Sequence, residues 1–127
     1  MGFREFFAAY ARFENAVWRF LLYGEKLEII TEDSTRLVLK TGRGKVTLDG
    51  ASRTIRRKDS LISGFGEIRR VILRTIAVDE TIDMWSVSLE KTDGRIVELG
   101  KSPDDVEASI AAAHVAKRIG VVVDAVN

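Results

Sequence analysis

Hydrophobic positions recur with a helical period at the two ends of this chain and with a period of two in between. Near the start, Phe3, Phe6, Phe7, Tyr10, Val17, Phe20 and Leu21 fall at three- and four-residue steps, with Arg4, Glu5, Arg12 and Arg19 mostly between them. That spacing predicts an amphipathic helix over roughly residues 3–22, stopped near Gly24. After Gly24 the alternation shortens. Leu27 and Ile29, Leu37 and Leu39, and Val46 and Leu48 alternate with charged or polar residues. The runs are bounded by Glu32-Asp33-Ser34, Gly42-Arg43-Gly44 and Asp49-Gly50-Ala51-Ser52, all turn-forming. Further strands are expected at about residues 53–58, 68–76, 83–91 and 95–99. In the sixth, Trp85, Val87 and Leu89 oppose Met84, Ser86 and Ser88, and Asp93-Gly94 behind it is a hairpin signal.

Helical period returns after Ser102, read as the N-cap, with Pro103 in the first helical position. Ala108, Ala111, Ala112, Val115, Ala116 and Ile119 form the buried stripe, and Gly120 is the C-terminal stop. The expected fold is therefore α+β and mainly antiparallel. An N-terminal amphipathic helix (residues 1–24) precedes a domain of residues 25–127, about seven strands in a barrel or sandwich capped by a C-terminal helix.

Composition narrows what this fold does. At 127 residues, 46% apolar and 31% charged, the chain has the make-up of one globular domain. It has no cysteine, which removes disulfides, thiolate-held metals and thiol nucleophiles. A single His and a single Pro leave no metal-binding His cluster and no proline-rich recognition segment. Charges interrupt the apolar N-terminus, so no signal peptide or membrane span is read there, and position 6 is Phe where myristoylation expects Ser or Thr. The expected compartment is the cytoplasm.

A net charge of +1 conceals a segregated distribution. Residues 36–74 hold eleven cations against three carboxylates, net +8; residues 1–35 carry −2 and residues 75–127 carry −5. Such a segment attracts phosphates or the acidic remainder of the chain. Arg53, Arg56, Arg57, Arg69, Arg70 and Arg74 are the candidate anion contacts. Phe65 is the only aromatic residue between Gly24 and Trp85, a poor supply of stacking platforms for single-stranded nucleic acid.

Catalytic patterns are missing. His114 sits on the polar face of the last helix with Glu107 and Arg118, and is expected to face solvent without a nucleophile. Ser63-Gly64-Phe65-Gly66 reads as a loop rather than a nucleophile elbow. Asp79, Glu80 and Asp83 lack the spacing of a calcium loop. No catalytic residue, metal site or cofactor is expected.

The order of elements resembles the pleckstrin-homology-like (PH-like) domains, including bacterial PH-like proteins of unknown function. The resemblance is carried by Leu48-Asp49 leading to Arg53-Thr54-Ile55, by Phe65-Gly66-Glu67-Ile68-Arg69-Arg70-Val71, by Trp85-Ser86-Val87-Ser88-Leu89 and by Asp93-Gly94-Arg95 before the helix. It implies a bacterial, non-enzymatic interaction or scaffold module. Lipid-binding relatives of that kind place Lys and Arg in the loop joining the first two strands, where this chain has Glu32-Asp33-Ser34. Two partner classes are expected. One is a second copy, met through Phe3, Phe6, Phe7, Tyr10, Val17 and Phe20, or another protein; the alternative is an acidic lipid surface or nucleic acid on the basic strands.

Overall fold

The computed structural model describes residues 25–77 and 83–126. Alternation sets the strands. β1 (Leu27–Glu32), β2 (Arg36–Thr41), β3 (Gly44–Asp49), β4 (Thr54–Arg57) and β5 (Ser60–Gly64) form an antiparallel meander in chain order. A three-residue 3₁₀ turn, Phe65–Glu67, leads to β6 (Ile68–Ala77), β7 (Asp83–Lys91) and β8 (Ile96–Ser102) of a second sheet. Helix α1 (Asp105–Ile119) follows, and β9 (Val123–Val126) then lies beside β6, parallel to it. The second sheet is ordered β8-β7-β6-β9.

The expected barrel or sandwich of about seven strands, closed by a terminal helix, is corrected by this count. Nine strands are present among the described residues, in two sheets, and a strand follows the helix. Both unexpected strands have weak alternation. β5 carries a bulge at Ile62, between the pairs Ile55–Ser63 and Arg56–Leu61, which breaks the period of two. β9 is a four-residue edge strand with exposed Val123 and Ala125, so no buried face marks it. The predicted N-terminal helix, with Phe3, Phe6, Phe7, Tyr10, Val17 and Phe20, lies outside the described residues.

The sheets face each other across Leu27, Leu37, Leu39, Val46, Leu48 and Ile55 on one side and Val71, Val87, Leu89 and Leu99 on the other. All ten are essentially inaccessible, and each such side chain contributes roughly 1.5–3 kcal/mol of transfer free energy. The alanine-rich stripe of α1 closes this core: Ala108, Ala111, Ala112, Val115, Ala116 and Ile119 are all buried. Gly120 ends the helix at φ 91°, as its position predicted. The N-cap is not Ser102 but Asp104, whose carboxylate accepts the N–H groups of Val106 and Glu107. Ser102 finishes β8 and its hydroxyl accepts the Asp104 N–H at 3.0 Å. At the corner where β8 meets β1 and β2, Gly100 is required. A Cβ there would stand 2.7 Å from a Leu27 methyl and 3.1 Å from Thr41 Cβ.

Candidate functional site

The six arginines expected to share an anion site are scattered. Arg57 follows inward-facing Ile55 by two positions, and its Nη2 donates to the carbonyls of Leu99 (2.6 Å) and Glu98 (3.2 Å). It therefore ties the first sheet to β8. Burial, then the like charge of Arg43, push its pKa down, with Glu98 opposing. Arg70 lies between Glu90 of β7 and Asp124 of β9, bonding both, and those two hydrogen bonds, Asp124 first, raise its pKa. Arg53 occupies a left-handed turn (φ 55°) with its guanidinium 5.6 Å from the centroid of buried Phe65. Arg69 is exposed where a bulge interrupts the start of β6. Arg74 is exposed on the outer face of the second sheet. Only Arg56 points from the outer face of the first sheet, opposite Thr47 and Leu61.

That face carries a different cation cluster. Leu37, Leu39, Val46, Leu48 and Ile55 face the core, so Arg36, Lys40, Lys45 and Arg56 face away, and all four are exposed. Lys40 stands directly opposite Lys45, a cross-strand like-charge pair that disfavours the folded state. Lys58 lies beside this pair at the backbone: its N–H donates to the Lys45 carbonyl at 3.2 Å, and its side chain lies over Gly44. Arg43 occupies the turn between Lys40 and Lys45 and reaches Glu98 at 3.9 Å. Among the described residues, Lys40, Lys45, Arg56 and Lys58 enter no ion pair, although Glu28 is the cross-strand neighbour of Lys40 on β1. Lys58 also sits at φ 54°, a conformation that costs about 1 kcal/mol or more for a residue with a Cβ. The signal for this cluster was in the alternation, since Lys40, Lys45 and Arg56 each have the parity opposite to the core positions.

The polar face of α1 is not simply solvated. Glu107 accepts the Leu27 N–H at 2.7 Å, His114 Nδ1 lies 2.5 Å from a Glu32 carboxylate oxygen, and Arg118 donates to the Asp33 carbonyl at 2.7 Å. These three side chains strap the helix to β1 and its turn. Asp33 is in turn bonded by Thr35 Oγ1 and the N–H groups of Thr35 and Arg36, which hold its carboxyl down at about 2. Of the acidic trio, Asp83 starts β7, while Asp79 and Glu80 lie outside the described residues. Among the described residues no group of three or more His, Asp or Glu side chains is arranged to hold a metal ion. No described helix is long and apolar enough to cross a membrane.

No protein-family model, curated protein or solved structure matches this chain. The resemblance to PH-like domains rests on the residue pattern alone.

Proposed function

We propose that this protein is a non-enzymatic interaction module that holds a phosphate-bearing anionic surface on the outer face of its first sheet. The observation that carries the reading is Lys40 set directly against Lys45, with Lys58 bonded to the Lys45 backbone; Glu28 faces Lys40 from β1, yet among the described residues none of the three lysines forms an ion pair. Like charges held together at a cost to stability are relieved by a bound anion. Lys58 adds backbone strain to the same cost, where Gly or Asn would relieve it.

A lipid surface is favoured over nucleic acid. The face offers no aromatic side chain for stacking, and Leu61, opposite Arg56, is 58% exposed and suited to a bilayer interface.

Sedimentation with vesicles tests this. Full-length protein is expected to pellet with phosphatidylcholine vesicles containing phosphatidylserine and to stay in solution with phosphatidylcholine alone, with binding weakening as salt rises. The double substitution Lys40→Gln/Lys45→Gln should weaken binding roughly 30-fold, at about 1 kcal/mol per charge near the surface. Absence of vesicle binding at about 50 mM salt overturns the reading, because screening is still modest there. Binding to duplex DNA instead of vesicles overturns the choice of lipid.

A further inference from the structure

β1 leaves one edge of the first sheet open beside α1. Among the described residues it pairs only with β2, at the end of the order β1-β2-β3-β4-β5. Register decides which of its backbone groups face outward. Thr41 and Gly44 flank a two-residue turn, so they form a hydrogen-bonded pair, and bonding alternates along β2 from there. Lys40 and Val38 therefore bond to β1 through Glu28 and Thr31, which leaves Leu27 and Ile29 directing N–H and C=O away from β2. The Leu27 N–H agrees with this direction, since it donates to Glu107 Oε1 of α1 at 2.7 Å. Ile29 turns its own N–H and C=O toward the same gap, where no described strand receives them.

The gap between β1 and the first turns of α1 holds two adjoining hollows, of about 450 Å³ and about 310 Å³, which share Glu28, Asp104 and Glu107. Its floor and its α1 wall are apolar. Ile29 is half-buried, while Val106 is 59% exposed and Ile110 47%. Around them stand four carboxylates, Glu25, Glu28, Asp104 and Glu107, against the single ammonium of Lys26. Glu28 lies directly opposite outward-facing Lys40, so it belongs to the outer face of the sheet.

We propose that this gap takes an extended basic peptide as a sixth strand on β1, with apolar side chains at every second position and Lys or Arg between them. The peptide residue opposite Ile29 shares its face and sets an apolar side chain against Val106 and Ile110. Its neighbours fall on the outer face beside Glu28, where a cation is matched. The same charges disfavour a second copy on this edge. β1 carries Glu28 and Glu32 and no cation, so pairing it with its twin brings only like charges together.

Fluorescence anisotropy tests the proposal, with full-length protein titrated into fluorescein-labelled Lys-Val-Lys-Val-Lys-Val-amide. Saturable binding is expected. Val106→Ser/Ile110→Ser, both at exposed positions, should weaken it at least about tenfold, and Glu28→Arg should weaken it as well. Methylating the peptide's valine amides and, separately, its lysine amides distinguishes strand addition from charge attraction. The N–H groups of one parity face one edge of a strand, so only one of the two methylated peptides is expected to lose binding. Equal affinity of the two, or no binding of the parent peptide at about 50 mM salt, overturns the proposal. A protein dimer in sedimentation that the peptide dissociates also overturns it, because the edge then belongs to a second copy.

Discussion

At the scale of single residues, charge and role separate. Its neighbours in sequence place Arg57 among the candidate anion contacts, but its parity with Ile55 turns it inward to the carbonyls of Glu98 and Leu99. Removing the guanidinium leaves those buried acceptors without a donor, a cost of roughly 1–3 kcal/mol for each group left unsatisfied. Arg57→Met should therefore lower the urea midpoint markedly, and Arg57→Lys, which keeps one donor, should recover part of the loss. Asp33 gives a pH signature of the opposite kind. Its carboxyl is held at about 2 against an ordinary 3.8, so the stabilisation from its hydrogen bonds is complete above that ordinary value and lost as pH falls through about 2. In acid unfolding experiments, the stability gap between the wild type and Asp33→Asn is expected to close across that interval and to be constant at neutral pH.

Elements with a sustained period were legible in the sequence, and those shaped by their neighbours were not. The stripe of α1 and its stop at Gly120 followed from spacing, as did the Asp93-Gly94 hairpin, where Gly94 adopts φ 90°. The N-cap of α1 lies two residues beyond the position that the sequence pattern predicts. Ser102 and Asp104 are both capping types, and only pairing of Ser102 with Trp85 in the sheet decides between them. Asp104→Ala is expected to cost about 1 kcal/mol in thermal unfolding, the usual worth of a side-chain cap. His114 shows the same limit. Its helical spacing put it on the polar face, but only the tertiary arrangement brings Glu32 of β1 to meet it. The cation cluster of the first sheet was half legible. The parity of Lys40, Lys45 and Arg56 could be read from the alternation, whereas Lys58 joins them through an irregular turn that no period announces.

For the molecule as a whole, the basic segment of +8 resolves into separate fates. Arg57 ties the first sheet to the second, Arg70 is spent on carboxylates within the second sheet, Arg53 lies against Phe65, and the lysines of the β2–β3 hairpin remain outward. A near-neutral chain thus presents one basic face and, on α1 and its turn, several acidic side chains. The segment charge alone could not make that division, because pairing partners such as Asp124 come from the far end of the sequence.

The parallel pairing of β9 with β6 also has a mechanical meaning. Because the chain enters α1 from one edge strand of the second sheet and leaves it into the other, the helix is a span pinned at both ends. A load applied beyond Val126 must first shear or peel the Val71–Arg74 ladder from Val123–Val126 before it reaches α1. Single-molecule pulling from that end should accordingly give an early, small rip from β9 alone, followed by a larger one in which helix and sheets yield together. Loss of the helix as the first event would contradict this order.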